Sequence, residues 1–311
     1  MKSEMSMGSP LEYAKAARKE IEDELRADVI DRIFEVPRQC LYHYSDARGL
    51  EGILRTGEIH ATDLRFMNDA GELHYGQSLI RDVAEQQLHS CTDRIRSAFS
   101  VVPSSLQDLS FRFYASCFCE DSDVLSQWRA YGNAGGGYAI GFDFNALISV
   151  MREAGHARSL QRVDYNLSSQ KTRVGRAFAE FIRIANRCET EFKEHPECQA
   201  AVDYCASSAS LFLVLELSRM KHPAFREEQE FRIVEIASEA PKNFRVSRSG
   251  LLVPFIKLVF GGADSEPRTV AELRWGPTQN PALAHASLDT YAAALGYKGV
   301  RLEGSLIRLR A

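Results

Sequence analysis

Apolar residues recur along the chain with two different periods, and the switches between them delimit most of its elements. Ser9 in N-cap position and Pro10 at the first helical position precede Leu11, Ala14, Ala17, Ile21, Leu25, Val29 and Ile33. That spacing predicts an amphipathic helix from Ser9 to about Arg38. Leu41 to Ser45 reads as a strand, Asp46 as the N-cap of a helix through Leu54 ended by Gly57, and Glu58 to Leu64 as a second strand. The polar turn Arg65 to Asp69, with Asn68 and Asp69 as turn and cap residues, opens a helical pattern to about Phe99. Phe111 to Cys119 alternates and is rich in aromatics, as a strand is, and Ser122 to Ala130 suits a short helix. Gly132 to Gly137 forms a flexible turn from which Tyr138 to Phe144 leaves as a strand.

The second half continues with a helix from Asn145 to Ala154, a strand near Gln161 to Tyr165, and a helical region over about 168–220 broken at His195-Pro196. Strands follow at Glu228 to Ile236, Leu252 to Phe260 and Leu273 to Gly276, then a helix from Pro281 to Leu295 and a strand from Gly299 to Gly304. Helices and strands mix without regular βαβ alternation, which predicts an α+β fold with a mixed or mainly antiparallel sheet. With no internal repeat or low-complexity linker, the expected organisation is an N-terminal helix, 1–39, and a single domain, 40–311, with a helical insertion at about 168–220.

Composition narrows the classes without choosing one. Apolar residues make up 45% and charged residues 26%, ordinary for a globular protein, and the 311 residues suffice for a large core. A net charge of -4 and a pI near 6.1 exclude a global basic footprint for nucleic acid. The seven cysteines are odd in number and scattered, with no signal-peptide pattern before them. They are read as thiols of a reducing, cytoplasmic protein. Cys117 and Cys119 form a CxC with no second pair at zinc spacing, so no metal site is expected. The apolar run Leu251 to Phe260, with Pro254 and Lys257 inside it, is too short to span a bilayer, and no membrane partner is expected. The glycine-rich turn lacks GxxxxGK[ST] and leads into a strand, which excludes a phosphate loop.

The segment Lys221-His222-Pro223-Ala224-Phe225-Arg226-Glu227-Glu228-Gln229-Glu230-Phe231-Arg232 holds the densest candidate chemistry. On a strand, Glu228, Glu230 and Arg232 share one face and Gln229, Phe231 and Ile233 the other. A solvated edge strand, or an ion pair of Arg232 with either glutamate, produces the same pattern.

Four separated pieces carry a family resemblance: Tyr42-His43-Tyr44-Ser45; Phe66-Met67-Asn68-Asp69 with Glu72; Ser116-Cys117-Phe118 through Trp128, Tyr131 and Gly141-Phe142-Asp143; and Lys221-His222-Pro223 through Glu230-Phe231-Arg232. In this order they resemble a bacterial family of domains of unknown function, over about residues 40 to 310. More distantly, the layout is similar to the ADP-ribosyltransferase fold of toxins and phage-defence enzymes. That resemblance implies a sheet open to splitting and NAD as a consumed co-substrate. It also implies a macromolecular acceptor, protein or nucleic acid, and an antitoxin or neighbouring defence protein as partner.

Carried over, His43 and Ser45 match the early His-x-Ser/Thr motif, Trp128 or Tyr131 the aromatic that stacks on nicotinamide, and Glu230 the late glutamate, with Glu228 completing Glu-x-Glu. Ser45 stands where Thr is more usual, and the Ser-Thr-Ser strand is missing. Glu230 would stabilise an oxocarbenium-like ribosyl centre, as carboxylates do in glycoside hydrolysis. Glu228 would orient or deprotonate the acceptor. His43 and Ser45 would bind ribose hydroxyls and the carboxamide, and Arg65 the pyrophosphate or a substrate phosphate. Each residue has a plainer role beside this one. His43 fits a core histidine on a backbone carbonyl, and Trp128 and Tyr131, at i and i+3, fit helix packing. Two other functions stay open: a noncatalytic nucleotide- or partner-binding module, and a metal-dependent nuclease or hydrolase.

Overall fold

The computed structural model describes residues 8–34, 39–67, 70–105, 112–132, 136–153, 158–237, 240–247, 250–265 and 268–307. The Asn68-Asp69 turn, Phe111 and the middle of the glycine-rich turn lie outside the described residues. In chain order the elements are α1 (Pro10–Phe34), β1 (Cys40–Ser45), α2 (Ala47–Thr56), β2 (Glu58–Asp63), α3 (Ala70–Leu88), α4 (Asp93–Ser100), α5 (Val102–Ser105), β3 (Arg112–Cys119), α6 (Leu125–Tyr131) and β4 (Tyr138–Asp143). They continue with α7 (Phe144–Glu153), β5 (Arg158–Arg162), α8 (Leu167–Glu191), α9 (Cys198–Leu217), β6 (Glu230–Ala237), β7 (Asn243–Val246), β8 (Leu252–Val259), β9 (Val270–Trp275), α10 (Pro281–Ala294) and β10 (Arg301–Gly304). The fold is α+β, and the chain gathers into two compact units.

One unit is helical and collects α1, α3, α4, α5, α8 and α9 from three separate stretches of sequence. Its central helix is α9, which packs on α8 and α1. By length and composition α9 would suffice to cross a membrane, but 67% of its apolar window is buried inside the structure. An all-round apolar helix of this kind is the natural centre of a bundle. The single helix expected up to Phe99 is two. The chain breaks after Leu88, and Thr92 caps α4 by accepting the Ile95 N–H at 3.4 Å. Arg96 reaches back across the break to the carbonyls of Leu88 and Cys91, satisfying acceptors that the helix end leaves open.

The other unit holds the mixed, mainly antiparallel ten-stranded sheet. Its order follows from β3. Along one edge β6 pairs with β3 for its whole length, from Arg112↔Ala237 to Cys119↔Glu230. The other edge is shared. β2 takes its start, at Thr62↔Ala115 and Asp63↔Tyr114, while β1 takes its end, at Tyr42↔Cys119. From there β1 leads through β4 and β9 to β10, and β2 leads through β8 to β7, so the sheet forks between β1 and β2. Directly paired residues share a face, as do alternate ones. Leu41, Phe118, Phe142 and Phe231 therefore fall on one side, where Phe142 contacts Phe118 at 5.8 Å and Phe260 at 5.4 Å between ring centroids. Tyr42, Tyr44, Cys117, Cys119, Glu230 and Arg232 fall on the other.

The strand expected to open at Glu228 opens at Glu230. Pro223–Glu228 is a 3-10 turn and Gln229 has a φ of 42°, so the i, i+2 alternation between Glu228 and Glu230 does not hold. β7 was not expected at all, and β5 begins three residues before the predicted strand near Gln161.

Candidate functional site at the fork of the sheet

Glu230 and Arg232 stand next but one on β6 and are 5% and 1% exposed. Arg232 donates through Nε to Oε1 of Glu230 at 2.8 Å and through Nη2 to Oε2 at 3.1 Å. This fork-on-fork geometry engages both carboxylate oxygens and fixes their orientation. The turn before Glu230 is tied to the end of β3: the Cys119 thiol donates to the Glu228 carbonyl at 3.0 Å, and the Glu120 N–H to the Gln229 carbonyl at 3.1 Å. Those ties hold Gln229 in the left-handed region, a strained position for a residue with a Cβ. Burial, foremost, pushes the Cys119 thiol up to about 12.

His43 sits where β3 has lost one neighbour and not yet gained the next. Its Nδ1 lies 2.8 Å from the Cys117 carbonyl oxygen, which can only accept, so Nδ1 carries the proton and Nε2 keeps its lone pair. Burial chiefly, opposed by that hydrogen bond and reinforced by the charge of Arg245, lowers its pKa below the ordinary 6.5, so the ring is neutral near pH 7. Strand parity puts His43 with Phe118, 5.7 Å away between centroids, on the side opposite Glu230.

α6 lies over the Tyr44 side of the fork. The Tyr44 hydroxyl donates to the Asp121 carbonyl at 2.9 Å and accepts the Val124 N–H at 3.1 Å, fixing the start of that helix. A cavity of about 40 Å³ opens between α6 and the strands, lined among others by His43, Cys117, Gln127, Tyr131, Glu228 and Glu230.

Of the residues singled out in the sequence, the cavity thus gathers His43, Tyr131, Glu228 and Glu230. It does not gather the other three. Trp128 is 1% exposed, donates from Nε1 to Asp123 Oδ1 at 2.7 Å and meets Tyr44 edge-on at 4.6 Å, so it is core. Of the two candidate aromatics only Tyr131 reaches the cavity. The Ser45 hydroxyl lies against the first turn of α2, 1.8 Å from where a Cβ on Gly49 would stand. Arg65 is held by both oxygens of Asp63, at 2.9 and 2.6 Å.

Sequence reasoning missed Arg245 on β7. Its Nη2 donates to the Thr62 hydroxyl at 2.7 Å, and burial of its head lowers its pKa below the usual 12.5 although the residue as a whole is exposed. It also missed Glu272 on β9, fully buried beneath Arg274, Arg301 and the Tyr42 hydroxyl. Burial would raise the Glu272 pKa, but those hydrogen bonds outweigh it and hold the pKa below its usual value. Among the described residues no three His, Cys, Asp or Glu side chains converge as a metal site would need.

Residues 127–233 match the DUF2971 family, described as a protein of unknown function. The DUF2971 segment starts at Gln127 in α6 and ends at Ile233 in β6. It therefore contains Tyr131, Glu228, Glu230 and Arg232, and leaves His43, Thr62 and Arg245 outside. No curated protein and no solved structure matches the chain. The DUF2971 match, over about a third of the chain, accords with the first resemblance drawn from the motifs. The second, to ADP-ribosyltransferases, gains no support from a relative.

Proposed function

We propose that the fork of the sheet binds NAD and cleaves its nicotinamide–ribose bond, passing ADP-ribose to a macromolecular acceptor or to water. What carries this reading is one cavity at the fork lined by Glu228, Glu230, Tyr131 and His43, with His43 reaching it from the face opposite Glu230. As the C1′–N bond breaks, its electron pair neutralises the nicotinamide ring and positive charge develops on C1′. Glu230, oriented by Arg232 before substrate arrives, is the group for that charge, because a fixed carboxylate in a water-poor site needs no reorganisation. Both of its oxygens already accept from Arg232, so the acceptor's proton is assigned to Glu228, which is half-exposed. His43, whose Nε2 keeps its lone pair, would accept from a ribose hydroxyl that enters the fork. At about 40 Å³ the cavity takes a hydroxyl or a water rather than a whole ring, so only a ribose edge enters it and the nicotinamide lies outside.

Nicotinamide release from labelled NAD, with and without cell extract, tests the proposal. Wild type should release nicotinamide, and Glu230→Gln should lower the rate by a factor on the order of 100 or more, the size seen when a single electrostatic partner of a transition state is removed. No release by wild type, or an unaltered rate in the variant, overturns it. One observation favours a second reading. Both Glu230 oxygens are taken by Arg232, which suits a noncatalytic nucleotide-binding module. That reading predicts a rise in melting temperature with NAD or ADP and no turnover.

A further inference from the structure

Arg245 can be traced to the Glu230 side of the sheet through the strand register alone. Arg245↔Val253 and Asn243↔Phe255 pair β7 with β8, Thr62↔Phe255 pairs β8 with β2, and Thr62↔Ala115 pairs β2 with β3. Paired residues share a face and alternate residues return to it, so Arg245, Thr62, Ala115, Cys119 and Glu230 all face the same way. The Arg245–Thr62 hydrogen bond, 2.7 Å, confirms the first step of that path.

Arg245 differs from the arginines around it. Arg65 and Arg112 share Asp63, and Arg232 holds Glu230, whereas among the described residues no carboxylate pairs with Arg245. A guanidinium that is partly desolvated and yet partnered by a neutral hydroxyl leaves donors for an anion. Its charge acts on His43 and is acted on by Tyr131, both of which line the cavity. From Thr62 to Glu230 the sheet spans two strand spacings, roughly 10 Å, and four residues along β3, roughly 13 Å. The long Arg245 and Glu230 side chains shorten that distance to the scale of a ribose-diphosphate.

We propose that Arg245, together with the Thr62 hydroxyl, binds a phosphate group of the nucleotide whose ribose end reaches Glu230. This inference rests on the reading of the fork as a nucleotide site, and it assigns the phosphate to Arg245 rather than to Arg65. A phosphate there would be gripped by charge-assisted hydrogen bonds, bidentate where the guanidinium presents two N–H groups. Neither Arg65, whose charge is paired with Asp63, nor Arg232, closed on Glu230, offers an unpaired cation in this way.

Calorimetric titration with ADP, inorganic pyrophosphate and adenosine separates the possibilities. ADP should bind wild type, and Arg245→Gln should weaken it at least about tenfold, the loss expected for one hydrogen bond to a charged group. Arg245→Lys should recover part of that affinity, and adenosine, which has no phosphate, should bind all three proteins alike. Arg245 is an exposed residue, so both variants should keep the wild-type melting temperature. ADP affinity in Arg245→Gln within twofold of wild type overturns the inference, and so does the failure of wild type to bind ADP and pyrophosphate. Weakened ADP binding in a protein that never releases nicotinamide sustains the phosphate site and removes the transferase reading. Nicotinamide release with an unaltered KM for NAD in Arg245→Gln does the reverse.

Discussion

Glu230 and Arg232 are a buried ion pair, and such pairs stabilise chiefly against the loss of one member. Removing Glu230 alone leaves a guanidinium 1% exposed without its counter-charge. Glu230→Leu is therefore expected to cost about 3–5 kcal/mol, while Glu230→Leu combined with Arg232→Met should return to within about 1.5 kcal/mol of wild type. Urea unfolding of the three proteins measures both values. A double variant as unstable as the single one would mean that the pair is needed for packing as well as charge. His43 gives a pH-dependent counterpart. Its folded pKa lies below the unfolded 6.5, so the unfolded chain binds the proton more readily. The stability that His43 contributes as a neutral ring is complete above about 6.5 and is lost as the pH falls through the lower, folded value. The pKa of His60, stacked on Phe255 at 3.8 Å, is likewise lowered, by burial first, and acts in the same direction. Replacing His43 by Gln, whose amide still has a donor for the Cys117 carbonyl, should flatten part of the decline in melting temperature below pH 6.5; an unaltered slope would place the titration elsewhere. The Glu230–Arg232 alternation was visible in the sequence because two residues on a strand fix a shared face. The bidentate contact was not, since the same letters describe a solvated strand.

Elements were legible where a cap or a breaker marked their ends. Asp46 caps α2 by accepting the Gly49 N–H at 2.9 Å, and Gly57 ends it in the left-handed region at φ 67°, both as the residue types imply. Gly57 is doubly constrained, because a Cβ there would stand 2.5 Å from the Gly261 carbonyl carbon. Gly57→Ala combines an unfavourable φ with a backbone clash and should cost more than about 1 kcal/mol, whereas Gly52→Ala, with open space around it, should be neutral or stabilising by a few tenths. Thermal melts of the two variants compare them on one helix. Where the signal was ambiguous the reading failed. Thr92 looked like one more residue in a helical period, yet its hydroxyl starts a new helix, and removing it as Thr92→Ala should cost about 1 kcal/mol. β7 is four residues long, with Phe244, Arg245 and Val246 all exposed, so it shows no alternation to detect. Missing that strand is why Arg245 was missed with it.

At the scale of the whole molecule, the cysteines show what scatter in sequence conceals. Cys188, Cys198 and Cys205 come together between α8 and α9, with the Cys198 thiol donating to the Cys188 carbonyl at 3.7 Å and the Cys188 thiol to the Pro10 carbonyl at 3.8 Å. The neighbouring thiol is the main cause in each case, lowering the Cys188 pKa and raising that of Cys205. Burial is the main cause that raises Cys40 and Cys91. A thiol reacts as its thiolate and only where reagent can reach it, so the low pKa of Cys188, at 0% exposure, confers no reactivity. All seven cysteines are thiols rather than disulfides, six of them buried and Cys117 half-exposed. An aromatic disulfide reagent should therefore label about one thiol quickly in the native protein and seven after unfolding, and the fast site should vanish in Cys117→Ser. Because Cys117 lines the cavity and shares its face with Glu230, the same labelling reads out the fork. ADP or NAD bound across that face should slow the Cys117 reaction in wild type, and less so in Arg245→Gln. A rate indifferent to saturating nucleotide would place the ligand away from the fork, whatever the affinity measured in solution.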